Sequence, residues 1–479
     1  MKVRIFIFIV LSLNVLFAEA QQRFDRNFNA FISQPEYKNA FVGIQVEDIA
    51  SGEILFSYNG NKLMIPASTL KIVTSAAALE ILGAGYRFKT KIGFSGKILN
   101  NRLNGNLIVI GGGDPALGSE YFRNEYENPH FMDVWAQRIK AAGITEINGN
   151  LVIDGSFYDT EKIPPTWVWE DIGNYYGAGV SALTVYDNLF RISFSSPETA
   201  GQPTKIISIY PNIQGLEITN RVLSSDINSD LAYVFGSPLD NKREITGTIP
   251  KNRNPFTIKA AVPNPEELLA KEFLAHLAKA GIFIKGEVKF EKVNPNLFQV
   301  IYIQESPTLA DIVNEINHKS INLFAEHLVK QIAAEKTGLG SRKNGIEIIK
   351  EYWKSKGIDS NFFMEDGSGL SHFNAISPAH LTSLLNYMFK TGENKNIFYA
   401  SLPSAGAGTL SGFNSRNFPQ ESLKAKSGSM SRVRCFAGYL RADSGKTLSF
   451  SIMVNHFEGT SSRLNSAIET LWLDIKTSF

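Results

Sequence analysis

The sequence predicts an α+β protein. Both chain ends build one domain, an antiparallel sheet flanked by helices, and a large mostly-β insert interrupts it. Three observations lead there. A helix followed by a strand pair opens the chain, and a strand pair followed by a helix closes it. From about Tyr86 to Glu305 the texture differs, with short apolar runs alternating with Gly, Asn and Pro turns. Finally, Ser68-Thr69-Leu70-Lys71 stands where the opening β-rich stretch gives way to a helix, and its chemical counterparts later in the chain all fall outside the insert.

Residues 1–20 read as a secretory leader. Lys2 and Arg4 give the positive start, Ile5 to Ala18 is almost wholly apolar, and Ala18-Glu19-Ala20 offers a small-x-small cleavage site before Gln21. The apolar run is short for a membrane span and no basic flank follows it, so the expected product is exported, without a transmembrane segment after cleavage. Peripheral association with the membrane is left open, as is the oligomeric state. Phe24, Phe28, Phe31 and Ile32 then mark an amphipathic helix. Phe41 to Glu47 and Glu53 to Tyr58 read as strands joined around Ala50-Ser51-Gly52. The Ser68 helix ends near Gly83-Ala84-Gly85.

Within the insert two helices stand out, Phe131 to Ala142 and Asn264 to Ala280. The triple glycine 111–113 is no phosphate loop, because no Gly-Lys-Ser/Thr follows and it opens no helix. Helical pattern returns from Thr308 to Asn317 and from Ile321 to Ala334. Val433 to Leu440 and Thr447 to His456 form a second hairpin, and the closing helix puts Ile468, Leu471, Trp472 and Ile475 on one face. Expected boundaries are 21–88 and 305–479 for the domain of the chain ends, and 89–304 for an insert of two subdomains.

Composition narrows the function. The chain has 479 residues, 43% of them hydrophobic, and a net charge of +2 with no long basic run, which leaves nucleic-acid binding without support. The single cysteine, Cys435, lies in an apolar strand-like run and reads as a buried structural thiol. Seven histidines show no H-E-x-x-H, which disfavours a zinc peptidase.

The chemistry-bearing residues are elsewhere. A serine hydroxyl becomes a nucleophile only beside a base, and Ser68 and Lys71, three residues apart, share one helix face. The start of a helix adds unpaired N–H groups that favour developing negative charge. Ser320-Ile321-Asn322 places a hydroxyl two residues before a carboxamide at a turn between helices. Lys426-Ser427-Gly428-Ser429 offers a cation, two hydroxyls and a glycine on an edge strand, which suits a peptide carboxylate and an extended substrate backbone. Asp366-Gly367-Ser368-Gly369-Leu370-Ser371 is a tight loop whose glycines permit close approach. Each motif alone has a plain reading, as a capping serine, a solvated lysine or a turn. Their joint order, S-x-x-K, S-x-N, K-[ST]-G, does not.

That order resembles the penicillin-binding proteins and serine β-lactamases. Together with Gly112-Gly113-Asp114-Pro115, Tyr176-Gly177-Ala178-Gly179-Val180-Ser181-Ala182-Leu183 and the Asp366 loop, the chain resembles the low-molecular-mass class C penicillin-binding proteins, the D-alanyl-D-alanine carboxypeptidase/endopeptidase family. The resemblance implies a penicillin-binding-protein/serine β-lactamase-like fold for the terminal-halves domain, and an acyl-enzyme formed on peptidoglycan peptides in the periplasm, sensitive to β-lactam antibiotics. Ser68 is the implied nucleophile, Lys71 its base, and Ser320 the proton relay, with no metal or cofactor required. Lys426 nearby is expected to push the Lys71 pKa down. Asn322 is expected to orient the substrate amide, the N–H groups of Ser68 and Ser429 to form the oxyanion hole, and Lys426, Ser427 and Ser429 to hold the terminal carboxylate.

Two departures concern specificity. The third motif is K-S-G where K-T-G is usual, which keeps the hydroxyl. His372 stands where relatives often carry an arginine for the diaminopimelate carboxylate, and Asp154 resembles the aspartate that meets the amine of that side chain. A neutral histidine makes no bidentate carboxylate contact, so a diaminopimelate preference is doubtful. The balance of carboxypeptidase and endopeptidase activity stays open at this point. So do the alternatives of a β-lactamase or esterase of the same superfamily and a non-catalytic peptidoglycan-binding protein.

Overall fold

The computed structural model describes residues 22–123 and 130–479, so the expected leader lies outside the described residues. The chain divides into two compact units. One comprises the residues up to Ala84 with Val313–Ile321 and Ile346–Phe479, the other Gly85–Ile312 with Asn322–Gly345.

In the first unit, alternation of apolar residues builds a five-stranded sheet in the order Leu423–Met430, Val433–Arg441, Thr447–Asn455, Phe41–Asp48, Ile54–Tyr58. Every neighbouring pair is antiparallel. Phe41 lies opposite Asn455 and Asp48 opposite Leu448, so the first strand of the chain pairs along its whole length with the last. The helix over residues 22–32 buries Phe24, Phe28 and Phe31. The closing helix Ser461–Ser478 buries Leu464, Ile468, Leu471, Trp472 and Ile475, and the Trp472 ring lies 5.0 Å from Phe436 and 5.6 Å from Phe450 of the sheet. Pro378–Lys390 packs on this sheet as well, with its Leu385 carbonyl accepting from the Tyr439 hydroxyl at 2.9 Å. Three helices, Arg342–Ser355, Pro378–Lys390 and Lys395–Ser401, lie where no element is predicted. The second of them carries a legible start signal, Ser377 as N-cap with Pro378 at the first helical position.

In the second unit the chain enters on Lys89–Phe94 and leaves on Gln299–Glu305, and these two strands pair antiparallel, with Glu305 opposite Lys89. The two ends of the insert therefore meet. Among the described residues the unit holds four sheets, and the helices Phe131–Ala141 and Pro265–Lys279 meet through Trp135 and Phe273, ring centroids 5.4 Å apart. Two subdomains are expected here, but one continuous apolar core includes Ile92, Leu107 and Trp135 together with Phe190, Ile245 and Ile258. The boundaries differ from expectation as well. The break falls after Ala84, and the helix Asn322–Thr337 groups with the insert, not with the terminal halves. Its buried polar residues explain this, because His327 and Gln331 hydrogen-bond to insert segments. Among the described residues no helix is long and apolar enough to cross a membrane.

Candidate active site

The nucleophile turn is built for close contact. Pro66 leads into a 3-10 turn, Ala67–Leu70, which passes into the α-helix Lys71–Leu82. In a 3-10 turn residues i and i+3 eclipse, and Lys71 Nζ accordingly lies 2.9 Å from Ser68 Oγ. The Lys71 side chain is fully buried. It also donates to the Ser368 carbonyl at 2.7 Å, which orients the amine toward the serine. Ala67 holds φ +45°, a left-handed conformation that costs a non-glycine residue about 1–3 kcal/mol. Asn455 supports this turn from the sheet. Its Oδ1 accepts from the Ile65 N–H at 2.9 Å and its Nδ2 donates to the Ile65 carbonyl at 3.0 Å.

The edge strand Leu423–Met430 supplies the second pair. Lys426 is fully buried, and its Nζ donates to Ser320 Oγ at 2.9 Å and to the Ser427 carbonyl at 2.8 Å. Burial, then the charge of Lys71, then that of Arg434, push the Lys426 ammonium well below its ordinary value. Ser320 has φ +61° in the two-residue link between the helices Leu309–Lys319 and Asn322–Thr337. Ser427 is buried and Ser429 is exposed on the same strand. A Cβ on Gly428 would stand 2.6 Å from the Pro66 carbonyl and 3.0 Å from the Ser68 nitrogen, so glycine alone lets this strand approach the nucleophile turn.

The Asp366 loop closes the floor. Asp366 accepts from the N–H groups of Gly369 at 2.7 Å and Ser371 at 2.6 Å, and from Asn374 Nδ2 at 2.8 Å. Thr74 of the nucleophile helix donates to the Gly367 carbonyl at 2.7 Å. Gly369, with φ +81°, leaves no room for a Cβ, which would lie 1.9 Å from the Ala67 carbonyl. Ser68, Lys71, Ser320, Lys426, Ser427 and Ser429 thus all belong to the first unit, with the first four joined in two close pairs.

The remaining expected residues fall differently. Asn322 opens its helix in the second unit, and its Nδ2 donates to the Tyr176 carbonyl at 2.8 Å. Asp154 is also in the second unit and only 4% exposed. Its Oδ1 accepts from the Ser156 N–H and its Oδ2 from the Val293 N–H. Each oxygen thus accepts one backbone N–H. His372 is exposed in the loop after Ser371. Cys435 is buried and its thiol is pushed up to about 12 by burial, an unreactive group. Asn455 is missed by sequence reasoning because its partner Ile65 is 390 positions away.

The profile of the D-Ala-D-Ala carboxypeptidase 3 (S13) family matches residues 24–473. The chain belongs to this family. It is a serine hydrolase. The chain is 29% identical over 448 residues to a D-alanyl-D-alanine carboxypeptidase of Actinomadura sp., covering 90% of this chain and 81% of that one. It is 28% identical over 432 residues to D-alanyl-D-alanine carboxypeptidase DacB of Haemophilus influenzae, covering 88% and 86%. The crystal structure of penicillin binding protein 4 (dacB) from Haemophilus influenzae superposes with a TM-score of 0.80 at 25% identity, over 94% of this chain and 99% of that one. The same protein complexed with a novel β-lactam superposes with a TM-score of 0.76.

Proposed function

We propose that this protein is an exported D-Ala-D-Ala carboxypeptidase/endopeptidase that cleaves peptidoglycan stem peptides or cross-links through an acyl-enzyme on Ser68, and that penicillin traps it at that stage. The observation that carries the reading is the fully buried Lys71 amine 2.9 Å from Ser68 Oγ, with Lys426 at the same distance from Ser320 Oγ. Ser68 Oγ attacks the carbonyl between two D-alanines, or between D-alanine and a cross-linking amine. Its proton passes to the neutral Lys71 amine. The N–H groups of Ser68 and Ser429 receive the developing oxyanion, a contribution of about 3 kcal/mol per donor. Ser320 delivers a proton to the leaving amine as the C–N bond breaks, and Asn322 holds the substrate amide. Lys426, Ser427 and Ser429 hold the free carboxylate of a terminal D-alanine. Water then hydrolyses the ester and restores Ser68. The similarity to named carboxypeptidases supports the substrate class.

The side-chain preference of the enzyme follows from what is missing. With His372 in place of an arginine, no bidentate clamp for the diaminopimelate carboxylate is formed at that position, while Asp154 is the residue suited to the amine. The test uses the purified protein with a fluorescent penicillin and with a stem pentapeptide, and Ser68→Ala as control. Label that persists for minutes, together with released D-alanine, is expected, and Ser68→Ala loses both. Rapid loss of label without peptide cleavage points to a β-lactamase. No label at all leaves a peptidoglycan-binding protein.

A further inference from the structure

Two runs singled out in the sequence play no part in the acyl transfer, Gly112-Gly113-Asp114-Pro115 and the stretch from Tyr176 to Leu183. Gly113 of the first run and Thr184, the residue that follows the second, meet one face of the helix Asn322–Thr337, within the second unit. His327, Lys330 and Gln331 share that face, and all three are nearly or fully buried. A buried helix face is ordinarily apolar. Here each polar group meets a partner. His327 Nδ1 donates to the Gly113 carbonyl at 2.8 Å, which leaves Nε2 as an acceptor for the Thr184 hydroxyl at 2.9 Å. Burial keeps the ring neutral by lowering its pKa to about 3. Gln331 accepts from the Tyr158 hydroxyl at 2.6 Å and donates to the Tyr86 hydroxyl at 2.6 Å. Lys330 Nζ donates to Asp159 at 2.6 Å. A Cβ on Gly113 would stand 2.2 Å from the Tyr158 hydroxyl and 2.4 Å from Gln331 Oε1, so the glycine run is what admits this face. At its first residue the same helix bears Asn322, bonded to the carbonyl of Tyr176, the first residue of the second run.

An apolar face tolerates small rotations and slips. A buried polar face does not, because each displacement leaves a desolvated donor or acceptor unpaired. We infer that this polar face is a positioning device. His327, Thr184, Gly113, Tyr158 and Gln331 fix the rotation and axial register of the helix, and so aim the Asn322 carboxamide at the amide of the substrate. The inference rests on the role given to Asn322 in the proposed function.

Thr184→Val keeps the side-chain shape and removes the hydroxyl that His327 uses, and Thr184→Ser restores it. The second-order acylation constant is measured with benzylpenicillin, which carries an acylamino side chain, and with penicillanic acid, the same bicycle without it. Thr184→Val is expected to slow acylation by benzylpenicillin about tenfold or more, because its hydroxyl meets His327 and also accepts from Asn188 Nδ2 at 3.0 Å, and to leave penicillanic acid within about twofold. Thr184→Ser returns the benzylpenicillin rate. Tyr158→Phe, acting through Gln331, gives a selective loss of the same sign and serves if Thr184→Val does not fold. Equal losses on both β-lactams, or no loss on either, in the folded variants overturn the inference. Wild-type protein that neither compound acylates overturns the acyl-enzyme reading itself, and the inference with it.

Discussion

At the residue scale the site turns on two lysines that share one buried neighbourhood. A lysine takes a proton from serine only in its neutral form, and the cheapest way to keep an amine neutral is to bury it beside a second cation. Lys426 shows the effect, its ammonium pushed down by burial and by Lys71. Lys71→Met keeps the stem and removes the proposed base. It is expected to slow penicillin acylation by about 10²–10⁴, the usual worth of a general base, as read from labelling kinetics. Gly428 is the geometric counterpart. Gly428→Ala forces a methyl within 2.6 Å of the Pro66 carbonyl, so the edge strand must retreat from the nucleophile turn. The expected outcome is a stability loss of about 1–3 kcal/mol in a thermal melt and penicillin labelling slowed by at least about a hundredfold. Both residues are legible in the sequence, since S-x-x-K and K-S-G are local patterns. Asn455, which holds Ile65 beside the turn, is not, because its partner is close only after the sheet has formed.

At the element scale the loop after the strand Leu107–Ile110 carries a buried acid. Asp114 accepts from the Ala116 N–H at 2.8 Å, yet burial raises its pKa from 3.8 to about 7. The sign follows from proton counting. Between these two values the folded state holds a proton that the unfolded chain has lost, so stability falls as pH rises through that window. The stabilising contribution is fully present below 3.8 and is lost as the pH passes about 7. A shift of this size corresponds to about 4 kcal/mol between the two limits. The stability difference between the wild type and Asp114→Asn, followed in thermal melts from pH 5 to pH 8, should show this decline, because the difference cancels His327, whose lowered pKa acts with the opposite sign. A variant whose slope matches the wild type would show that another group is responsible. The helix Asn322–Thr337 belongs at this scale too. Its periodicity is plain in the sequence, but its membership in the insert depends on partners of His327 and Gln331 that are 143 to 245 positions away.

At the scale of the whole molecule, the first unit is closed by the two ends of the chain. Phe24 packs against Phe479 with ring centroids 5.3 Å apart, and Trp472 stands against Phe436 and Phe450 of the same core. The strand Leu423–Met430 that bears Lys426 belongs to the sheet built on that core. Phe24→Ala and Trp472→Ala are each expected to cost about 3–5 kcal/mol. Each should lower the temperature at which fluorescent penicillin labelling is lost, and by a similar amount, because the sheet and the site lose their support together. A variant that melts early but keeps labelling at the wild-type temperature would separate the core from the site.

The sequence by itself determined the α+β class, the pairing of the chain ends, the two long helices of the insert, and the spacing that sets Ser68 beside Lys71. These are set by local periodicity and by short motifs whose chemistry is carried by residue type and spacing. Only the tertiary structure decided the rest. It tied Asp154 into backbone N–H groups, merged two expected subdomains over one core, and assigned the Asn322 helix to the insert. Each of these outcomes depends on which polar groups find partners after burial. Such pairings join residues far apart in the chain, and no local pattern records them.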